Sequence, residues 1–325
     1  MTERPVILAT APLRGPGLET LRSLGDVVEE SWISATTMKL QNDEQLAARI
    51  AATGATIVIC EADQCKGAVL EAGLSAIAST RGDPTNVDVA GATAKGIPVL
   101  RAPGRNADAV AEMTIALLMA VNRHLVAADG DVRNGDTYKD GTIPYQRFRA
   151  WQVAGRTAGI VGLGAVGRAT KWRFEGLGMK VIAYDPYAPD ATHELDELVS
   201  TADVVSMHAV VTPETAAMIG AKQFALMKED AIYLNSARAA LHDTDALVEA
   251  LQSGSIGGAG LDHFEGENLA PGHPLLSMRN VVLTPHIGGA TYDTEANHTT
   301  IIANGLAQLL KGEVPDNCVN PEVLK

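Results

Sequence analysis

Three glycines stand at a fixed spacing between a β-branched run and a stretch of helical period. Gly162, Gly164 and Gly167 form the pattern G-x-G-x-x-G. In this context the first permits a tight turn, the second lets a pyrophosphate approach the backbone, and the third allows close packing of a helix whose N-terminus attracts anions. Asp185 ends the next apolar run, 23 positions after Gly162 (185 − 162), where a carboxylate binds ribose hydroxyls and repels a 2′-phosphate. The combination predicts a dinucleotide site that prefers NAD to NADP, with turn glycines beside a solvated Asp as the simpler alternative.

Three polar segments in the second half of the chain each follow a short apolar run. They read Leu234-Asn-Ser-Ala-Arg238, Gly260-Leu-Asp-His-Phe-Glu-Gly-Glu267 and Thr284-Pro-His286-Ile-Gly-Gly-Ala-Thr291. With the glycine-rich loop, the segment 206–215 and the region 86–88, they resemble the D-isomer-specific 2-hydroxyacid dehydrogenase family. The motifs occur in order over nearly the whole chain. The resemblance is to the phosphoglycerate dehydrogenase-like branch, and we expect the regulatory domain of its long members to be absent.

The resemblance implies a catalytic set of Arg238, Glu267 and His286. In the family the arginine holds the substrate carboxylate and carbonyl, the histidine carries the proton, and the glutamate pairs with the histidine. Elementary chemistry agrees, because oxidation of a 2-hydroxy acid needs a base at the hydroxyl, and histidine titrates nearest the working pH. A guanidinium fork suits a carboxylate. Taken singly, each of the three is more often an ordinary surface or loop residue.

The resemblance also implies the cofactor contacts. We expect them from Gly162, Gly164, Ala165, Val166, Gly167, Asp185, His208, Val210, Thr215, Ser236, Ala237, Arg238, Asp262, His286 and Gly288. Asp262 is placed near the nicotinamide amide. For His208, a role at the cofactor cleft and a satisfied interior histidine are both open. The remaining histidines show no ligand spacing, so we expect no metal site.

The substrate loop departs from the family pattern. It reads Arg81-Gly-Asp-Pro-Thr-Asn-Val-Asp88, and Pro84 removes a backbone donor from a loop whose amides normally cradle the substrate carboxylate. We expect substrate contacts from Glu61, Arg81, Gly82, Asp83 and Arg238. Ala239, Val210 and His263 are further departures, the last standing where a small apolar residue is common.

Glu61 bears on substrate identity. Phosphoglycerate dehydrogenases of the family place an arginine for the substrate phosphate after the corresponding strand, where this chain has Cys60-Glu61. Glu61 would repel a phosphate and could instead accept hydrogen bonds from hydroxyls, with a solvated Glu61 that plays no part as an equal alternative. We therefore expect weak or no activity on 3-phosphoglycerate and better activity on a sugar acid or a small 2-hydroxy or 2-keto acid.

Short β-branched runs alternate with helical periods along the chain, which predicts βαβ units and parallel sheets. Strands are predicted at 6–9, 55–59, 75–79, 97–100, 157–161, 180–184, 203–208, 231–235, 258–262 and 280–283. Helices are predicted at 42–52, 87–95, 106–125, 168–177, 244–252 and 294–311. The fold class is thus α/β. The family resemblance specifies a Rossmann-type doubly wound cofactor domain, 104–286, inserted into a smaller flavodoxin-like substrate domain made of 1–103 and 287–325. It also implies a homodimer through the helix 106–125.

Composition excludes several classes of partner. The 325 residues carry 39 Asp and Glu against 26 Lys and Arg, a net charge of −13, which disfavours nucleic acid and anionic membranes. Three cysteines are too few for a disulfide framework, so Cys60 and Cys65 are expected to be buried or half-buried free thiols. No signal peptide is recognisable, and we expect a cytoplasmic protein.

The sequence therefore predicts an NAD-dependent enzyme that interconverts a D-2-hydroxy acid and its 2-keto acid. An NADH-sensing corepressor-like binding protein of the same fold, phosphoglycerate dehydrogenase proper and formate oxidation remain the alternatives. Glu267 argues against formate oxidation, since it serves proton-coupled interconversion of hydroxyl and carbonyl groups.

Overall fold

Strands and helices alternate along the residues described by this computed structural model, which are 4–34 and 40–324. The chain divides into two units. Unit 1 comprises Met1–Asn106 and Thr291–Lys325, and unit 2 comprises Ala107–Ala290. The boundaries expected from the sequence are 103/104 and 286/287, and the roles given to the two parts stay predictions.

The elements are these. The strands are β1 Val6–Ala9, β2 Asp26–Glu29, β3 Ile57–Cys60, β4 Ala76–Ser79, β5 Val99–Leu100, β6 Thr157–Val161, β7 Lys180–Tyr184, β8 Val204–Met207, β9 Ile232–Asn235, β10 Gly258–Leu261 and β11 Val281–Leu283. The α-helices are α1 Pro16–Leu24, α2 Asp43–Thr53, α3 Val89–Ala94, α4 Ala107–Asn122, α5 Leu125–Arg133, α6 Pro144–Arg147, α7 Ala165–Gly176, α8 Leu195–Thr201, α9 Ala221–Leu226, α10 Thr244–Ser253 and α11 Tyr292–Leu310. Short 3₁₀ turns lie at Trp32–Ser34, Gly67–Glu71, Lys139–Gly141, Ala239–Leu241, Glu265–Glu267, Pro274–Ser277 and Pro321–Leu324.

The sheet of unit 1 has the order β2-β1-β3-β4-β5, and all its strand pairs are parallel. This is the flavodoxin-like order, in which the strand sequence reverses between β1 and β3. Glu61 directly follows β3 and so lies at that switch point. β2 was not predicted, because Asp26-Val-Val-Glu29 offers only two half-buried apolar residues at the edge of the sheet. Cys60 and Cys65 are buried free thiols, as expected.

The sheet of unit 2 has the order β11-β10-β9-β8-β6-β7 and is also parallel throughout. Its six strands end in register: Val161 pairs with Tyr184 and Met207, Met207 with Asn235, Asn235 with Leu261, and Leu261 with Leu283. The residues that follow these ends therefore share one edge, and the order reverses between β6 and β8. Ligands of open α/β sheets bind at such an edge and at such a reversal. The predicted α/β class with parallel sheets is confirmed.

The predicted helix 106–125 is wrong at its C-terminal end. α4 stops at Asn122, His124 adopts a left-handed φ of 53°, and α5 starts at Leu125 with a bend of 61°. The apolar side chains of α4 pack largely inside unit 2, where Leu117 and Val121 are buried. Glycines make room for them, because a Cβ on Gly260 would lie 3.0 Å from the Cβ of Leu117.

No single helix in the described ranges is long and apolar enough to cross a bilayer. Only α4 and α5 taken together, across their bend of 61°, pass that test.

Candidate active site

The glycine-rich loop leads from β6 into α7, and each glycine has its own steric reason. Gly162 has a φ of 99°, and a Cβ there would lie 2.6 Å from the backbone nitrogen of Ala209. A Cβ on Gly167 would lie 2.0 Å from the carbonyl oxygen of Gly162. Gly164, by contrast, faces open space, with no atom within 4 Å of a Cβ built there. The loop is thus rigid at its first and third glycines and open at the second, at the N-terminus of a 12-residue helix. This cradle fits the pyrophosphate of a dinucleotide.

Asp185 follows β7 at the same edge and ties the loop in place. Its Oδ2 accepts a hydrogen bond of 2.7 Å from the backbone N–H of Leu163, and its Oδ1 accepts one of 2.8 Å from that of Tyr187. Each carboxylate oxygen keeps acceptor capacity for a ribose hydroxyl. The nearby guanidinium of Arg168 is held by both oxygens of Asp190, at 2.6 and 2.8 Å. The position therefore offers negative charge to the ribose, which suits NAD rather than a 2′-phosphate.

His208 directly follows β8 and is only half satisfied. Its Nε2 lies 2.8 Å from the Oγ of Ser206, while the buried Nδ1 has no hydrogen-bond partner among the described residues. Burial lowers the pKa of His208 to about 3, so the imidazole is neutral. An orphaned buried nitrogen at the switch point supports a ligand at this edge. One ring nitrogen of His208 is thus satisfied inside the protein, as expected for an interior histidine, while the other is left for a ligand, as expected for a residue of the cofactor cleft.

The other expected cofactor contacts lie around the same edge. Ala165 and Val166 form the first turn of α7. Val210 is 74% exposed, and its carbonyl accepts a hydrogen bond of 2.6 Å from Thr215, which holds the loop after β8. Ser236 is buried, and its Oγ lies 2.7 Å from that of Thr114 on α4. The position of Ser236 is thus fixed by a residue that sequence reasoning missed, since Thr114 lies 122 positions away.

Asn235 shapes the turn that presents Arg238. Its Oδ1 accepts hydrogen bonds from the backbone N–H groups of Ala237 and Arg238, at 3.0 and 3.2 Å, and its Nδ2 donates to the carbonyl of Arg238 at 2.8 Å. The buried Asn235 therefore satisfies three backbone groups of an irregular turn. The guanidinium of Arg238 is exposed, and its Nη1 donates to the carbonyl of Ala237. Most of its five donors stay free for an anion.

His286 and Glu267 form a hydrogen-bonded pair. The Nδ1 of His286 lies 3.0 Å from the Oε1 of Glu267. Because a carboxylate can only accept, Nδ1 must donate, which leaves Nε2 of the neutral ring as an acceptor. Both residues have left-handed backbones, with φ of 54° and 59°. Non-glycine residues rarely adopt this region, and such strain concentrates at functional sites.

Asp262 holds the loop that carries His286. It is 1% exposed, and its Oδ1 accepts hydrogen bonds from Thr284 Oγ1 at 2.6 Å and from the backbone N–H of Ile287 at 2.9 Å. Its Oδ2 accepts one of 2.7 Å from Gly288. These bonds assign Asp262 a positioning role in the loop, while its predicted contact with the nicotinamide stays a prediction.

The expected substrate residues of unit 1 are engaged within that unit. Glu61 is 15% exposed and forms an ion pair of 2.5 Å with Arg105, whose Nη1 lies 2.9 Å from Nδ1 of His298. Glu61 is therefore not solvated, contrary to that alternative, and Arg105 balances its charge, which weakens the argument that Glu61 repels a phosphate. Its contact with the substrate stays a prediction. Arg81 donates to Thr85 Oγ1 at 2.8 Å.

The substrate loop continues with three residues that differ in exposure and in hydrogen bonding. The carbonyl of Gly82 accepts a hydrogen bond of 3.3 Å from Arg101, Asp83 is exposed, and Pro84 is buried. Sequence reasoning missed Arg105, which lies 44 positions after Glu61 and carries no local sign of that pairing.

Comparison with known proteins decides the family. The sequence profile of the D-isomer specific 2-hydroxyacid dehydrogenase NAD binding domain matches residues 115–288. The chain belongs to this family. A glyoxylate reductase of Thermococcus litoralis is 42% identical over 249 residues, which are 74% of this chain and 75% of the relative. A D-3-phosphoglycerate dehydrogenase of Methanocaldococcus jannaschii is 34% identical over 97% of this chain and 59% of its own length.

A solved structure agrees over both units. The NAD-complexed D-isomer specific 2-hydroxyacid dehydrogenase of Lactobacillus delbrueckii ssp. bulgaricus has a TM-score of 0.81 at 28% identity, covering 97% of this chain and 100% of that one. The predicted family, its Rossmann-type fold, the enzyme class and NAD as cofactor are confirmed.

The glycine geometry yields a test that separates binding from folding. Gly164→Ala meets open space, so we expect an unchanged melting temperature but NADH binding weakened at least about tenfold, because a methyl group occupies the path of the pyrophosphate. Gly167→Ala forces a clash with the carbonyl of Gly162, so we expect a lower melting temperature as well. Thermal unfolding and NADH fluorescence titration measure the two effects. Equal melting temperatures for both variants would contradict the assignment.

Proposed function

We propose that this enzyme reduces a small 2-keto acid of the glyoxylate class to its D-2-hydroxy acid, with His286, Glu267 and Arg238 as its catalytic residues. The observation that carries the proposal is the Glu267–His286 hydrogen bond. Its 3.0 Å geometry fixes the imidazole tautomer beside the edge that holds the dinucleotide cradle. A protein that only senses NADH has no need of such a pair, which disfavours the corepressor alternative.

The residues divide the reaction between them. Arg238 binds the substrate carboxylate through its guanidinium fork and polarises the keto oxygen. NADH, when bound, supplies the hydride that C2 of the substrate accepts. In the reduction, the protonated ring of His286, which Glu267 stabilises through Nδ1, gives its Nε2 proton to the keto oxygen and is left neutral with its proton on Nδ1. In the oxidation direction Nε2 takes the hydroxyl proton instead.

The proposed substrate preference rests on two arginines of unit 1 and on the similarity of the chain to a glyoxylate reductase. At the carboxyl edge of its sheet Arg105 is engaged by Glu61, and Arg81 donates to Thr85. Neither of these two guanidinium groups is therefore wholly free for an anion. Since the glyoxylate reductase of Thermococcus litoralis is 42% identical, glyoxylate is the first candidate, followed by hydroxypyruvate and sugar-derived keto acids.

A second copy of the chain is the proposed partner. Large apolar side chains are exposed on α5 and after it, where Leu125 is 53%, Val132 66%, Tyr145 78% and Trp151 61% exposed. Leu125 and Val132 are seven positions apart and thus lie on one helix face. A homodimer would bury them, and we propose that its interface includes α5 and the residues after it. A cytoplasmic location is proposed from the free cysteines.

The dimer proposal predicts an oligomeric state that depends on the protein concentration. Sedimentation analysis should give twice the 34.0 kDa chain mass, and Leu125→Glu with Val132→Glu should give the monomer, because two charges cannot be buried at an apolar contact. The same substitution at the exposed Val314 is the control. A wild-type monomer at high concentration would contradict the proposal.

The proton-carrier role predicts a selective loss of turnover. We expect His286→Asn to lower kcat about 10²- to 10⁴-fold, the usual contribution of general acid–base catalysis, while the NADH dissociation constant stays within about twofold. Asn tolerates the left-handed backbone at this position. His124→Asn is a matched control, because His124 is also left-handed, with a φ of 53°, and lies outside the pair. Unchanged turnover in His286→Asn would refute the assignment.

The substrate class is tested by NADH oxidation across 2-keto acids. We expect glyoxylate or hydroxypyruvate to give the highest kcat/KM. In the reverse assay, kcat/KM for 3-phosphoglycerate should fall about 10- to 100-fold below that for glycolate or glycerate, since loss of a hydrogen bond to a charged group costs about 1.5–3 kcal/mol. Comparable efficiency with 3-phosphoglycerate would overturn this preference. NADH binding without turnover of any substrate would favour the sensor.

A further inference from the structure

Three groups that bind transition metals converge beside Arg238. His263, Glu267 and His286 each offer one ligating atom, and these atoms lie within 4.8 Å of one another. The three come from two segments: His263 and Glu267 lie four positions apart after β10, and His286 follows β11. Since no two histidines have the sequence spacing of a metal motif, the sequence alone predicts no metal site. The fold brings them together.

His263 is an independent sign of a ligand. It is 4% exposed, its ring centroid lies 3.8 Å from that of His286, and neither ring nitrogen is hydrogen-bonded within the described chain. No described side chain or backbone group therefore occupies the ring nitrogens of His263, and one of them is within reach of the ligating atoms of Glu267 and His286.

We propose that His263, Glu267 and His286 bind one Zn²⁺ ion and that this ion inhibits the enzyme. Two imidazoles and a carboxylate are a ligand set that zinc favours, whereas Mg²⁺ and Ca²⁺ take oxygen ligands. Tetrahedral zinc with bonds of about 2.0–2.1 Å holds its ligand atoms about 3.3 Å apart, so the side chains need to close by only about 1.5 Å. Glu267 and His286 are partly exposed, at 59% and 44%, and can move. Water fills the fourth position.

Inhibition follows from what zinc takes away. Zinc bound at Nε2 of His286 takes the lone pair that exchanges the substrate proton, whereas zinc bound at Nδ1 forces the proton of the neutral ring onto Nε2. In both cases a carboxylate drawn to zinc no longer orients the ring. The positive charge of Arg238 opposes the ion and weakens the site relative to a structural zinc site. Metal binding itself is independent of the proposed function, while its effect on turnover rests on His286 as proton carrier.

Direct titration tests the site without turnover. The full chain, freed of metal by a chelator, should take up one Zn²⁺ per chain in calorimetry, and Co²⁺ should show the visible absorption of a four-coordinate ion that Zn²⁺ abolishes. His263→Phe keeps an aromatic ring without a ligating nitrogen. It should weaken zinc binding at least about tenfold, the minimum seen when even an indirect partner of a metal ligand is removed. His124→Asn should bind zinc as the wild type does.

The outcomes separate the two proposals. Glu267→Gln removes the carboxylate of another proposed ligand at an exposed position. This variant replaces His263→Phe in the titration if His263→Phe does not fold. No binding by the wild type, or equal binding by both variants and the wild type, would overturn the zinc site. In the 2-keto acid assay, the inhibition constant of Zn²⁺ should match its dissociation constant, and chelator should restore activity. Full turnover by the zinc-saturated enzyme would overturn the proposed inhibition. If the enzyme turned over none of the 2-keto acids, the proposed function would be refuted, while the zinc titration would still test the metal site.

Discussion

The common end of six parallel strands is the constraint on which the rest of unit 2 depends. Val161, Tyr184, Met207, Asn235, Leu261 and Leu283 lie in one register. The polar residues that follow them are therefore delivered to one edge by backbone hydrogen bonds alone. A shift of one residue in any strand would turn its side chains to the other face and remove its contribution. Thr114 and Ser236, which are 122 positions apart in the chain, meet because the sheet fixes the position of Ser236.

At this edge, one buried carboxylate offsets the strain of the loop that bears His286. A left-handed non-glycine residue costs about 1–3 kcal/mol, while a hydrogen bond to a charged group contributes about 1.5–3 kcal/mol. Asp262 receives three such bonds from Thr284, Ile287 and Gly288, so the loop stays folded with its histidine strained. A Cβ on Gly288 would lie 2.8 Å from Asp262 Oδ2, which explains the glycine there.

Local sequence patterns predict strands and helices, but they do not show which residues that are distant in the sequence contact one another. The strands β1, β6 and β7 agree with their predicted bounds because β-branched runs are closed by Gly, Asp or Thr. The end of α4 was missed because His124, unlike a glycine, gives no sign of a left-handed residue. The pairing of Glu61 with Arg105 is not visible in the sequence, because the two residues are 44 positions apart. The cluster of His263, Glu267 and His286 was missed for the same reason, since only the fold joins its two segments.

We propose that Glu267 fixes His286 in one tautomer, with Nδ1 donating and Nε2 free to exchange the substrate proton. Nitrogen-15 NMR of histidine-labelled protein, with the His286 signals assigned by their loss in His286→Asn, tests this directly. We expect the neutral ring to carry its proton on Nδ1, and Glu267→Gln to allow the Nε2-protonated form to appear. A neutral His286 protonated on Nε2 in the wild type would contradict it.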